Sequence, residues 1–206
     1  MIQPETPRNE LLTAVRACRI CIDSPRGHPL PHEPRPIVQF AASARILIAG
    51  QAPGTRVHAS GRPFTDPSGD RLRHWLDIDS AVFYDATRVA ILPMGFCFPG
   101  LSPKGADLPP RRECAPQWRA KLMPHLPNLR LMVTLGLPAA RWHLADDPPP
   151  ALASALAGWR RHLERTPPVV VLPHPSWRNN ALLKANPWIE DEIIPALRKR
   201  VSQALD

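Results

Sequence analysis

No apolar run in this sequence approaches the roughly 20 residues that a membrane-spanning helix requires, although hydrophobic residues make up 44% of its 206 positions. No helical membrane span is expected within it, and a soluble chain is expected. Met1 to Glu10 mixes charges with prolines and lacks the basic segment followed by an apolar one that marks a secretory leader, so a cytoplasmic location is expected. Internal repeats and low-complexity linkers are absent too. A chain of this length buries roughly 70% of its unfolded surface as one compact domain without needing staples, and residues 1–206 read as one such domain. Cysteines number only 4, and in a reducing compartment disulfides between them are disfavoured.

Acidic residues are in short supply: 18 Asp and Glu face 26 Lys and Arg, a net charge of +8, and most of the cations are arginine. The planar guanidinium suits phosphate contacts, so a polyanion such as DNA is the favoured partner. GC-rich coding also writes arginine often, so charge needs the support of a site. No obligate protein partner is implied, and a monomer is expected. The 28 prolines predict long, stiff loops.

Four short apolar runs read as strands: Ile46 to Ala49, Val89 to Leu92, Leu131 to Leu135 and Val169 to Leu172. Helical patterns lie at Glu10 to Arg16, Gly69 to Leu76, Pro116 to Leu126, Pro138 to Leu144, Leu152 to Glu164 and Trp188 to Ala204. Continuously apolar strands that alternate with helices need crossover connections and cover on both faces. The fold class is therefore α/β, a three-layer α/β/α sandwich around a mostly parallel four-stranded sheet. Such sheets bind ligands beyond the carboxyl ends of their strands. That directs attention to the loops at Gly50 to Asp70, Pro93 to Gly105 and Pro173 to Asn180.

Those loops hold the unusual residues. Gly50-Gln51-Ala52-Pro53-Gly54 follows a strand, with two glycines that let backbone approach a ligand. Gly61-Arg62-Pro63-Phe64-Thr65-Asp66-Pro67-Ser68-Gly69-Asp70 fixes an aromatic ring and a carboxylate between Pro and Gly. Phe64 reads equally as a stacking platform or a core anchor, and Asp66 and Asp70 as site carboxylates or helix caps. His174-Pro175-Ser176-Trp177-Arg178-Asn179-Asn180 leaves the last strand with a histidine held between prolines, able to hydrogen-bond a ligand oxygen. Cys18 and Cys21 form a C-x2-C pair, and sixteen residues separate Cys97 from Cys114. Metal ligation is the favoured reading of the four thiols. A zinc ribbon pairs two close C-x2-C units, so the wide second spacing leans towards an iron-sulfur cluster, with zinc the alternative. His58, His74, His125, His143 and His162 show no ligand spacing.

Together, GQAPG, GRPFTDPSGDRL and HPSWRNN resemble the first and last signature motifs of the uracil-DNA glycosylase superfamily. The cysteine pattern is similar to the [4Fe-4S] ligands of its fourth and fifth families. The resemblance spans residues 18 to 180. It implies a DNA-repair hydrolase that flips a deaminated base out of the stack and removes it with water. By position, Gly50, Gln51, Ala52, Phe64 and His174 would bind the base, with Phe64 stacking on it. Gln51, Asp66 and His174 would carry the chemistry, Ser176, Trp177, Arg178 and Asn179 would grip DNA, and Cys18, Cys21, Cys97 and Cys114 would hold the cluster.

The chain departs from the pattern in three places. Gln51 stands where the fourth family carries a glutamate, and glutamine cannot act as a general base. Asp66 is the nearest counterpart of a fifth-family carboxylate, one residue displaced, and becomes the expected water-positioning group. In the middle motif Thr87-Arg88-Val89 replaces an asparagine that reads uracil, and Met94 to Gly100 is lengthened before the third cysteine. With Gln51 and the missing asparagine, a catalytically silent module that binds damaged or single-stranded nucleic acid is the alternative reading.

Overall fold

A computed structural model describes residues 5–206, with side chains from Asn9 onward. Residues 1–4 of the N-terminal stretch judged for a leader lie outside the described residues. Four strands, β1 (Ile46–Ala49), β2 (Val89–Ile91), β3 (Leu131–Leu135) and β4 (Val169–Leu172), form one sheet in the order β2-β1-β3-β4. Every pairing is parallel, with Ile46 opposite both Val89 and Leu131, and Met132 opposite Val169. All strand residues are buried, as expected of a parallel sheet whose crossover helices cover both faces. Ile46, Leu47 and Ile48 are fully enclosed, and cutting such a side chain back to alanine costs about 2–5 kcal/mol.

The helices depart from their sequence patterns where the backbone chemistry changes. The stretch read as one helix from Leu152 to Glu164 divides into Leu152–Ala157 and Trp159–His162 at Gly158, where the missing side chain weakens helix propagation. Pro116 to Leu126 starts earlier, as Cys114–Leu122, and tightens into a 3₁₀ turn at Met123–His125. The C-terminal helix opens with a π-helical turn, Ile189–Ile193, before Ile194–Leu205, which carries Pro195 in its first turn. Short helices at Ile20–Asp23, Thr55–Ser60, Ser80–Phe83 and Asn180–Ala185 were not legible as periodic patterns. The fourth residue of the second predicted strand, Leu92, falls outside β2, yet its N–H still donates to the Ile48 carbonyl (3.0 Å).

From β1 the chain runs to β2 on one side, then crosses back over β1 to β3 and β4 on the other. The order therefore reverses between β1 and β3, the point at which open α/β sheets form a crevice beyond their carboxyl ends.

Candidate active site at the carboxyl edge of the sheet

Gln51 follows β1 and lies against Gly136, which follows β3, so it stands at the reversal. Gly136 adopts φ +86°, and a Cβ there would come within 2.6 Å of the Gln51 amide nitrogen; only glycine leaves this room. The loop after β2 is stitched to the same segment: Met94 N–H donates to the Gly50 carbonyl (2.9 Å) and Gly95 N–H to the Gln51 carbonyl (2.8 Å).

Phe64 takes φ +54°, a left-handed conformation that a non-glycine residue holds only when its surroundings impose it. Three contacts do so. The Tyr84 hydroxyl donates to the Phe64 carbonyl (3.0 Å), the ring meets Phe83 edge-on with centroids 5.9 Å apart, and the helix Pro67–Leu76 abuts it at Gly69, where a Cβ would stand 1.9 Å from the Phe64 carbonyl oxygen. The ring is thus both core anchor and pocket wall. Asp66 occupies the N-cap position of that helix without capping it. Its carboxylate instead accepts from the Ser68 hydroxyl (2.8 and 2.9 Å). Asp70 faces outward in an ion pair with Arg73 (2.6 Å).

His174 leaves β4, and the Asn179 amide donates to its carbonyl (2.7 Å). Arg71 braces the same turn through the Ser176 carbonyl (3.4 Å) and the Asn180 side chain (2.8 Å). Burial holds the His174 imidazole below its ordinary pKa, overcoming the opposing pull of Asp66 and Asp107, while Arg178 lowers it further. At neutral pH the ring is uncharged, with one nitrogen free to donate.

Asp107 had no signal in the sequence. It sits on the loop between Cys97 and Cys114, folded back by an antiparallel bridge between Leu101 and Asp107. Its carboxylate oxygens lie 3.7 and 4.0 Å from where a Cβ on Gly54 would be, and Arg178 pairs with it at 3.8 Å. Only its proximity to His174 and Gly54, created by the tertiary fold, marks it.

These groups surround two connected spaces. An inner pocket of about 90 Å³ is walled by Phe64, Gly50, Gln51, Ala52, Asp66, Asp107 and His174, among others; that is several times the roughly 10–15 Å³ one water needs. It shares Gln51, Asp66, Asp107 and His174 with an outer cleft of about 740 Å³, where Arg56, Arg71 and Arg178 outnumber the two carboxylates and Trp177 stands 73% exposed. Every expected base-binding and catalytic residue is therefore brought together. The expected DNA contacts Ser176, Trp177, Arg178 and Asn179 all line the cleft, and the Asn179 side chain also holds the His174 carbonyl.

The middle motif requires correction. Thr87 and Arg88 precede β2, at the amino edge of the sheet, so they cannot reach this pocket. The pocket-side residues after β2 begin at Leu92, and Pro93 and Ile91 line the pocket there, supplying no side-chain amide.

Cys18, Cys21, Cys97 and Cys114 are free thiols, the last three buried. Among the described residues no three His, Cys, Asp or Glu side chains are placed to hold a metal ion as they stand, but the cysteines are close enough to feel one another's charge. Burial pushes Cys21 up to about 11, with Glu113 and Cys18 adding to the rise. It pushes Cys97 and Cys114 to about 12, with the other thiols contributing. Trp118 donates its indole N–H to the Cys18 sulfur (3.0 Å) and Phe96 its backbone N–H to that of Cys114 (3.3 Å). Arg119, fully buried, donates to the Leu92 and Pro93 carbonyls and contacts His143. Burial lowers its pKa to about 10, and ionisation of the neighbouring Cys114 would oppose that shift.

The chain is similar in shape to an NMR structure described as a candidate uracil DNA glycosylase from Methanosarcina acetivorans, with a TM-score of 0.49 and 18% identity over 79% of this chain and 94% of that one. A sequence profile of the uracil DNA glycosylase superfamily matches residues 37–198, which takes in all four strands and both pocket loops, and the chain belongs to that superfamily.

Proposed function

We propose that the protein is a monofunctional DNA glycosylase that hydrolyses the N-glycosidic bond of uracil or another deaminated base in DNA. The observation that carries this is the small inner pocket walled by Phe64, two carboxylates and a neutral histidine, opening into an arginine-lined cleft. A base flipped into the pocket would stack on Phe64. Water then adds to the sugar C1′ as the bond to the base nitrogen breaks, with negative charge gathering on the departing base oxygens. His174, an uncharged donor, stabilises that charge without the cost of burying a cation. Asp66 and Asp107 accept from the attacking water and stabilise the oxocarbenium-like sugar. Gln51 carries an amide to the base edge, taking over the reading role that no residue after β2 fills. Arg56, Arg71 and Arg178 meet phosphates, with Trp177 and Ser176 at the duplex, and Asn179 serves as a positioning residue for His174.

A [4Fe-4S] cluster held by Cys18, Cys21, Cys97 and Cys114 belongs to this proposal, with zinc the alternative occupant. The donor set suits an anionic cluster: the four cysteines are near enough to feel one another's charge, N–H groups are aimed at two of the sulfurs, and the buried Arg119 cation lies near enough to Cys114 for the two charges to interact. When bound, the cluster would supply cross-linking rather than chemistry. Held by these four residues, it would tie the N-terminal segment to both ends of the loop that carries Asp107.

The test is incubation with oligonucleotides containing uracil, hypoxanthine or xanthine, single- and double-stranded, followed by alkaline cleavage at abasic sites, with Asp66→Ala and Asp107→Ala as controls. Product that is lost in the variants supports the enzyme and names its base. Salt-sensitive DNA binding without product would replace it with the silent binding module.

A further inference from the structure

The misplaced middle motif leads to a second site, at the opposite edge of the sheet. Arg88, Arg45 and Arg130 each immediately precede a strand, and the register places them side by side across β2, β1 and β3. The backbone fixes this row: Arg45 and Ile46 N–H both donate to the Arg88 carbonyl (3.0 and 3.1 Å), and Arg130 and Leu131 N–H both donate to the Arg45 carbonyl (2.7 and 3.1 Å). Neighbouring strands are about 4.8 Å apart, so the three arginines are rooted in line at about that backbone spacing. They line a single cleft of about 750 Å³ together with Ser43, Thr87 and Asn128.

Like charges held in such a row repel, and among the described residues none of the three has an acidic partner in an ion pair. The Arg45 guanidinium donates to the Leu205 carbonyl (2.8 Å). Of the acidic groups nearby, Asp85 accepts from the Thr87 backbone N–H (2.9 Å) and hydroxyl and is near enough to Arg88 to feel its charge without forming an ion pair, and Asp206 follows Leu205 at the rim. We propose that this cleft binds an oligophosphate, in the class of inorganic triphosphate or a nucleoside di- or triphosphate. An anion with several charges matches three arginines that share one cleft, with hydroxyl and amide side chains completing its hydrogen bonds. The concave shape and volume suit a small ligand. The strands separate this cleft from the glycosylase pocket by about 13 Å, at about 3.3 Å per residue, and place it on the opposite edge, so a duplex seated at the pocket does not reach it. The inference is independent of the base-excision reading.

Calorimetric titration of the full chain with inorganic triphosphate tests it, with sulfate as the simple-anion control. Wild type should show saturable binding that Arg88→Gln/Arg130→Gln weakens at least tenfold, while leaving the melting temperature and any base release unchanged. Arg45 is retained because it also holds the last helix, and the single variant Arg130→Gln, at an exposed position, covers the case in which the double variant folds poorly. Absence of binding, equal binding of sulfate, or unchanged affinity in correctly folded variants overturns the proposal. Displacement of triphosphate by lesion-free duplex DNA, whose own binding falls in the same variants, overturns the small-ligand reading and assigns the row to nucleic-acid backbone.

Discussion

Trp177 is the most direct point at which to test how the cleft engages DNA. It is 73% exposed on a 3₁₀ turn between His174 and the helix Asn180–Ala185, with the Arg178 guanidinium 5.6 Å from its ring centroid. A tryptophan buries about 150–250 Å² when enclosed, so inserting the exposed part between bases removes roughly 110–180 Å² from water, or about 3–4.5 kcal/mol at ~25 cal/mol/Å². Opening a base step costs a few kcal/mol, and measured base–aromatic stacking is about 1–3 kcal/mol. The net expected for Trp177→Ala is therefore about 1–3 kcal/mol, a roughly 5- to 150-fold fall in kcat/KM on duplex substrate. Single-stranded substrate has little stacking to replace and should lose much less. Because the ring packs against little in the free protein, folding stability should stay within about 0.5 kcal/mol of wild type. The assay is single-turnover base release from matched single- and double-stranded oligonucleotides, alongside urea unfolding. Equal losses on both substrates, or no loss on either, would refute the wedge.

At His174, replacement by alanine should cut the single-turnover rate about 10²- to 10³-fold, the usual cost of one oxyanion donor, with the glutamine variant recovering part of it. Equal rates in all three proteins would remove His174 from the chemistry. Cys97→Ser should reduce iron content and visible absorbance in anaerobically purified protein and lower kcat/KM through the Asp107 loop, whereas unchanged iron per chain would exclude it as a ligand. Burial beside Arg119 lowers the His143 pKa from 6.5 to about 3. Its contribution to stability is therefore full above pH 6.5 and declines as the pH falls towards 3, by about 1.4 kcal/mol per pH unit, or about 2 kcal/mol by pH 5. Urea unfolding at pH 7 and pH 5 should show a shallower loss for His143→Gln, and parallel losses would contradict the assignment.

The sheet was legible in the chain because each strand is a short apolar run buried on both faces, so composition alone distinguishes Ile46–Ala49 or Val169–Leu172 from its surroundings. The motifs containing Phe64, Asp66 and His174 were legible because Pro and Gly constrain them locally. Helix breaks at Gly158 and Ile194 were less visible, since propensity is a weak force that packing overrides.

Three things were settled only by the fold. Strand register set the direction of each loop, which moved Thr87-Arg88 away from the pocket and into a row with Arg45 and Arg130. The folding-back of the Cys97–Cys114 loop brought Asp107 to His174 across a separation that no local pattern encodes. Packing also decided which polar side chains remain free, committing Asn179 to the His174 carbonyl and leaving Trp177 exposed. The sequence by itself determined which segments are apolar and which are stiff, because those are properties of neighbouring residues; the meeting of Asp66, Asp107 and His174 depends on strand order and long-range closure, and only the tertiary structure decided it.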